Sequence, residues 1–190
     1  MANDFFSTAQ IFGHAALILS MVTFSRKHDG RFKVWLTVQN LVYAIHFFLM
    51  GNLAAMAGTT LSATRNLLSL RTRSMTVALI LLVAKLLLGF WVIKAAWNVI
   101  PLIATAIATI SMFRLDGLPL RYSILCCTLL WLVNNILTGS IIGTVMESMI
   151  SVMSSVTIYR LHRETASGAV GDAQQSIERT ILARHSRRRK

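Results

Sequence analysis

Seven apolar runs, separated by short polar or basic segments, follow one another along the chain. Each is close in length to the ~17–25 residues that a helix needs to cross the hydrocarbon core of a bilayer. Each run therefore predicts a membrane-spanning α-helix. The predicted helices cover residues 8–24, 32–50, 53–70, 75–93, 98–113, 120–137 and 140–159.

An internal repeat relates the first three runs to the last three. At a constant offset of 88 residues, without a gap, Leu41 aligns with Leu129 and Gly51 aligns with Gly139. The fourth run has no counterpart, so the sequence predicts two three-helix repeats joined by a linker helix, a 3+1+3 arrangement. The predicted boundaries are 1–73 for the first repeat, 74–96 for the linker helix, 97–163 for the second repeat and 164–190 for a basic tail.

Composition indicates the solvent in which these helices fold. Hydrophobic residues make up 55% of the chain and charged residues 14%, and the mean hydropathy of +0.61 is too high for an ordinary soluble domain. The net charge of +12 comes from basic residues in the gaps between runs and in the tail, rather than from one soluble face. The sequence therefore predicts an all-α integral membrane protein without a nucleic-acid partner.

The basic residues also predict an orientation, because most of them fall at one end of the predicted bundle. The opposite end has the near-neutral turns Gly51-Asn52 and Gly139-Ser140, plus Lys94. By the positive-inside rule the basic end is cytoplasmic, and seven spans then place the N-terminus outside and the C-terminus inside. The linker helix restores the chain direction, so the repeats are expected to be parallel. The ten basic residues are Arg26, Lys27, Arg31, Lys33, Arg71, Arg73, Arg114, Arg121, Arg160 and Arg163.

Two pairs of polar residues occupy matching positions in the repeats. Glu147 aligns with Thr59, ~12 Å below the turns by helical rise, and Asn134 aligns with His46, at ~7–8 Å. Parallel-repeat transporters bind substrate between their repeats near the midplane, so these four residues are predicted to bind a small polar solute. For His46 and Asn134, hydrogen bonding between packed helices is an equally good interpretation.

Glu147 and Lys85 are charges inside predicted spans, where each costs ~2.5–3.5 kcal/mol at a helix centre. Lys85 lies ~16 Å deep in the fourth helix, close enough in depth to pair with Glu147. Either the two form a buried ion pair, or Glu147 is a proton-coupling carboxylate.

Four further residues carry predictions. Arg65, near the basic end, is expected to extend to cytoplasmic water, with Asn66 beside it as a gate residue. The aligned aromatic residues Tyr43 and Trp131 could stack on a sugar ring or pack in the core or against lipid. They are included in the predicted substrate-binding set.

The tail changes character after Arg163. ETASGAVG predicts a small polar linker, and Asp172 could cap a short helix carrying Ile177, Ile181 and Leu182. The final ARHSRRRK either binds anionic membrane lipid or stays disordered and solvated.

The segments HFFLMGNLAA, RNLLSLRTRS and GSIIGTVMES, with the loop SRKHDGRFK, resemble the YgjV family of bacterial inner-membrane proteins. That family is related to the MtN3/SWEET and PQ-loop group, whose members share a 3+1+3 arrangement and include sugar and amino-acid transporters. The resemblance implies this fold and a bacterial inner-membrane location. It implies no particular substrate.

Nothing in the sequence indicates catalysis. It contains no nucleophile motif, phosphate-binding glycine loop or metal-ligand spacing, so we expect neither an enzyme nor a cofactor. Two functions remain: a small-molecule transporter of the SWEET-like type, or a non-transporting membrane receptor or scaffold on the same fold. The sequence does not determine the oligomeric state, and it is compatible with a homo-oligomer.

Overall fold

The computed structural model describes residues 7–90 and 99–187, which form seven α-helices and no strands. The end of the predicted fourth helix, Lys94 and the last three residues lie outside these ranges. The helices are α1 (Thr8–Phe24), α2 (Asp29–Leu49), α3 (Leu53–Arg71), α4 (Met75–Phe90), α5 (Val99–Arg114), α6 (Gly117–Leu137) and α7 (Ile141–Arg187).

Two helices begin one turn earlier than the apolar runs predict. His28 and Asp116, immediately before α2 and α6, have extended backbones, so the helices begin at Asp29 and Gly117. The added turn is polar in α2 and contains a glycine and a proline in α6. Both α2 and α6 have the length and hydropathy of a membrane-crossing helix, while α1, α4 and α5 are shorter apolar helices.

The two glycine turns have the same backbone geometry. Gly51 and Gly139 follow α2 and α6 with φ of +72° and +70°, a left-handed conformation that glycine adopts without strain. In each turn the next residue donates back to a carbonyl five residues earlier, over 2.9 Å for Asn52 to Phe47 and 2.8 Å for Ser140 to Asn135. Every one of these positions recurs at the offset of 88 residues. We call this end of the bundle the turn end and the opposite end the basic end.

The helix contacts divide the bundle into two groups of three. Helix α2 packs against α1 and α3, and α6 packs against α5 and α7. The groups meet where α1 contacts α7 and α3 contacts α5, while α4 contacts both α3 and α5.

Apolar packing is densest towards the basic end. A cluster of buried side chains there draws on α1, α2 and α4–α7, and includes Phe24, Phe32, Met112, Leu120 and Ile150. Elsewhere the burial pattern is the reverse of that in a soluble protein. Large apolar residues such as Ile18 and Leu79 are exposed on the outside, and polar residues such as Ser20 and Asn66 are fully buried. This arrangement suits a protein that is surrounded by lipid.

Helix α7 continues through the segment predicted as a linker. Its backbone is helical without interruption from Ile141 to Arg187, so the predicted break after Arg163 and the separate helix capped by Asp172 are not formed. The segment lacks proline and is rich in alanine, glutamine, glutamate and arginine, whose helix propensity outweighs two glycines.

Candidate functional site

A cavity of about 580 Å³ lies between the two helix groups. Its apolar floor includes Phe24, Met112 and Ile124 from the basic-end cluster, and its lining extends to Asn52 at the turn end. Helices α2, α3 and α4 contribute to one part of the wall, and α5, α6 and α7 to the other. The cavity therefore lies where the sequence predicts a solute site, between the groups.

A polar stripe on α3 lines one wall. Thr59, Ser62 and Arg65 are three residues apart in turn, so they share a helix face directed at the cavity. The Thr59 hydroxyl donates to the Ala55 and Met56 carbonyls at 2.9 and 3.0 Å, and the Ser62 hydroxyl donates to the Gly58 carbonyl at 2.9 Å. Both hydroxyl oxygens keep lone pairs for a further donor.

Arg65 points inward, contrary to the prediction that it reaches cytoplasmic water. Its side chain lines the cavity at 7% exposure, and Nε and one terminal nitrogen donate to Asn66 Oδ1 at 3.1 and 3.0 Å. The other terminal nitrogen donates to Thr109 Oγ1 at 3.4 Å. Acceptors on α3 and α5 therefore hold the guanidinium inside the bundle. Asn66, which is fully buried beside Arg65, fixes the direction of its side chain by accepting two of these bonds.

Lys85 lines the same cavity but does not form the predicted ion pair with Glu147. Its Nζ donates to Ser62 Oγ across the α3–α4 contact. Residues 7–90 and 99–167, whose side chains are described apart from Ile142, contain four ion pairs, and neither Lys85 nor Glu147 belongs to any of them. The hydrogen-bond partner of Lys85 is thus the hydroxyl of Ser62 instead of the carboxylate of Glu147.

Glu147 lies on the α7 wall of the cavity and is half-buried. No hydrogen bond or ion pair holds its carboxylate within the described part of the chain. It shares the lining with Tyr43, whose hydroxyl donates to Met146 Sδ at 3.0 Å, and with Trp131, which is 38% exposed. Four predicted binding residues, Tyr43, Thr59, Trp131 and Glu147, are thus brought to one cavity.

His46 and Asn134 are not brought to it. His46 Nδ1 is 2.7 Å from the Ala9 carbonyl, and its ring packs against Gly13, so it joins α2 to α1 inside one helix group. Asn134 is buried in α6 outside the cavity lining. For His46 the helix-packing interpretation fits the contacts, and the solute-binding prediction does not. The Asn134 Oδ1 atom is buried without a hydrogen-bond partner among the described residues, so its contacts match neither interpretation.

Several polar residues in and beside the cavity were not predicted from the sequence. Ser62 on α3, Thr105 and its neighbour Thr109 on α5, and Asn40 on α2 contribute hydroxyls or an amide to this region. Thr59, Ser62 and Arg65 are spaced three residues apart. This spacing alone predicts that they share one face of a helix, and it could have identified Ser62 from the sequence. The described residues contain no cluster of His, Cys, Asp or Glu suited to a metal ion.

Ion pairs join the two helix groups below the cavity, at the basic end. Arg121 on α6 donates to Asp29 Oδ1 at 3.1 Å, and Lys33 on α2 lies 4.0 Å from Asp116 Oδ1, before α6. Arg73, after α3, also pairs with Asp116. Lys33 and Arg121 are repeat partners, 88 residues apart, so each group gives a cation to a carboxylate of the other. We call these five residues the basic-end network.

Comparison with known proteins identifies the family. A model of the Imp-YgjV family, described as bacterial inner membrane protein, matches residues 7–165. The inner membrane protein YgjV of Escherichia coli strain K12 is 34% identical over 160 residues, covering 84% of this chain and 87% of that protein. No solved structure matches the chain significantly. The chain is therefore a membrane protein and belongs to the YgjV family of bacterial inner membrane proteins.

Proposed function

We propose that this protein transports a small polar solute across the bacterial inner membrane by moving its two helix groups against each other. The observation that carries the proposal is the cavity of about 580 Å³ between the groups, whose lining holds three side chains of the charged residue types: Arg65, Lys85 and Glu147. Charges inside membrane proteins are costly and mark ligand and ion pathways more often than structural supports.

The topology we propose is the 3+1+3 arrangement, with α1–α3 and α5–α7 as parallel repeats and α4 as the linker. The matching turns after Gly51 and Gly139 and the division of helix contacts support it. The positive-inside rule assigns the basic end to the cytoplasm, with the N-terminus outside. In this orientation the cavity extends towards the outside.

The basic-end network acts as the cytoplasmic gate in this proposal. It joins groups that must separate for a solute to leave on that side, and the buried apolar cluster containing Phe24, Phe32 and Met112 lies beside it as a second barrier. Because Lys33 and Arg121 are about 6% and 5% exposed, water screens these contacts less than it screens surface pairs. Opening requires both crossed pairs to part together.

Glu147 is the proposed coupling residue. It is half-buried in the cavity with no cation bound to it, so gain or loss of a proton is an available way to change its charge during transport. The other ionisable groups of the lining are Tyr43, Arg65, Lys85 and Cys127. Helix α1, which also packs against α7, carries His14 outside the lining.

Uptake into proteoliposomes tests the function. The purified chain should accumulate at least one labelled solute from a panel of sugars, amino acids and organic acids when a proton gradient is imposed. Glu147→Gln should abolish gradient-driven accumulation yet keep exchange of pre-loaded solute, while exposed Ser148→Ala should behave as the parent does. If no panel member is taken up, the scaffold function is favoured. If Glu147→Gln lowers the melting temperature and leaves flux unchanged, Glu147 is structural.

A further inference from the structure

The cavity has many more hydrogen-bond donors than acceptors around its two cations. Arg65 has five N–H groups, of which three donate to neutral oxygens of Asn66 and Thr109. Lys85 has three, of which one donates to Ser62. Asn66 is fully buried, and its amide nitrogen has no acceptor within the described residues. The unused N–H groups of both cations lack an acceptor among the described side chains, and the buried Gln39 Oε1, which also lines the cavity, accepts a bond from none of them.

The two cations are also close together. Ser62 and Arg65 are one helical turn apart on α3, and Lys85 is hydrogen-bonded to Ser62. The bond to Ser62 thus holds the Lys85 ammonium beside the face of α3 that carries the Arg65 guanidinium, and two like charges so placed repel each other. Like charges held side by side in a desolvated site are unfavourable unless an anion lies between them.

Protein carboxylates do not meet this need. Among the described side chains, Asp29, Asp116 and Glu164 pair with cations at the basic end. Glu147 shares the cavity but lies ~12 Å below the turn end by helical rise from Gly139, whereas Ser62 and Arg65 lie ~17 and ~21 Å below it, counted from Gly51. The lining therefore has two cations at depth and one carboxylate nearer the turn end, a net positive charge.

The rest of the wall fits the body of an organic molecule. Tyr43, Phe47 and Trp131 supply aromatic faces, and Leu88 and Leu102 supply aliphatic contacts. A small inorganic ion would leave these surfaces unused, while a neutral sugar would leave both cations without a counter-charge.

We infer that the solute is a small organic anion, whose carboxylate binds between Arg65 and Lys85 while its apolar body lies against the aromatic wall. The inference rests on the proposed transport function and names its class of solute. A carboxylate offers two oxygens to the unused N–H groups of Arg65 and Lys85, and charge-assisted bonds of this kind are the strong ones. Ser62 would then hold Lys85 in position rather than serve as its final partner.

Calorimetric binding to the full chain in phosphatidylcholine nanodiscs tests this inference without measuring transport. The probes are benzoate and succinate as organic anions, inorganic phosphate as an anion without a carbon body, and glucose and alanine as uncharged and zwitterionic solutes. We expect one of the organic anions to bind, and phosphate, glucose and alanine to bind about tenfold more weakly or not at all.

Two variants locate the site, each with a matched control of the same chemistry. Lys85→Met and Arg65→Gln should each weaken anion binding about tenfold or more, because either change removes one of the two charges. Lys27→Met and Arg160→Gln alter partly or fully exposed cations outside the cavity and should leave binding unchanged. A melting curve for each variant separates lost binding from lost fold.

The outcomes distinguish this inference from the proposed function. Binding of glucose or alanine with no response to the anions overturns the inference even if flux is observed. Equal affinity for phosphate and the organic anions removes the role of the aromatic wall, and anion binding that survives both cavity variants places the site elsewhere. Anion binding that disappears in the cavity variants supports the inference even if no flux is found, and only the transport proposal then fails.

Discussion

Buried charge without a counter-charge is the feature that most affects the energetics of individual residues in this protein. Arg65 and Lys85 lie in the interior, and neither touches a carboxylate among the described side chains. Each cation costs ~2.5–3.5 kcal/mol at a helix centre on insertion scales, and neutral hydroxyl and amide partners recover only part of that cost. Such positions are expected where binding requires charge more than the fold does.

Replacement of Lys85 should therefore stabilise the fold. Lys85→Met keeps a long apolar stem and removes the ammonium group, so we expect the free energy of unfolding to rise by ~1–4 kcal/mol. Chemical unfolding in detergent measures this, with Lys27→Met as the control for loss of a more exposed lysine. A loss of stability in Lys85→Met, relative to that control, would mean that the bond to Ser62 supports the fold.

The sequence predicts which residues line the cavity better than it predicts where their side chains point and what they contact. Depth along a helix and the repeat alignment identified Glu147, Thr59, Tyr43 and Trp131, all of which line the cavity. The same reasoning failed for His46, because depth does not determine which face of a helix a residue occupies. For Arg65 and Lys85 it assumed the usual partners, water and a carboxylate, whereas Asn66, Thr109 and Ser62 are contacts that only the packed structure reveals.

His46 should matter for stability and not for solute binding. Its ring bonds to the Ala9 carbonyl and packs on Gly13, so His46→Ala removes a contact between α1 and α2 and should cost ~1–3 kcal/mol. Anion affinity should stay unchanged. Thermal unfolding and calorimetry test both points, with exposed His162→Ala as the control. Loss of binding in a fully stable His46→Ala protein would restore His46 to the solute site.

At the scale of elements, the apolar pattern predicts the helices well up to the end of the membrane region. The predicted and observed boundaries of α1 and α3 agree to within one residue, and α2 and α6 each begin three residues earlier than predicted. The tail was harder to predict, because hydropathy carries no information about a helix that leaves the bilayer. In α7 the local helix propensity of residues 164–187 decides the outcome.

Electron paramagnetic resonance distances test the length of α7. Spin labels at Ser148 and Thr165, and at Thr165 and Leu182, span 17 residues each and should both give distributions centred near 26 Å of helical rise, plus label length. The first pair, which ends just beyond the predicted membrane span, is the internal control. Cys126 and Cys127 are first changed to serine. A broad second distribution beside a narrow first one would show that the tail is not a continuous helix.

At the scale of the whole molecule, the proposed transport mechanism depends on the internal repeat of the sequence. Lys33 and Arg121, at equivalent positions of the repeats, cross between the groups to Asp116 and Asp29. The proposed alternating access requires two helix groups with a cavity between them and contacts at one end that can break, and these reciprocal pairs are such contacts. The sequence predicted the duplication but not the network, because ion pairing between distant loops depends on how the groups pack.

Access to the cavity from each side of the membrane tests this central claim most directly. The reporter is Thr59→Cys in a protein with Cys126 and Cys127 changed to serine, labelled with a membrane-impermeant maleimide in right-side-out and inside-out vesicles. Thr60→Cys, which points out of the bundle, is the control and should label from neither side.

With the network intact, Thr59→Cys should label from the outside. Asp29→Asn and Asp116→Asn should each weaken one crossed pair by ~1 kcal/mol, which changes the ratio of protein open to the cytoplasm to protein open to the outside about fivefold. In the double variant, labelling of Thr59→Cys from the cytoplasmic side should therefore rise at least about fivefold. Labelling that stays confined to one side in both proteins, with the fold intact, would contradict alternating access through this cavity.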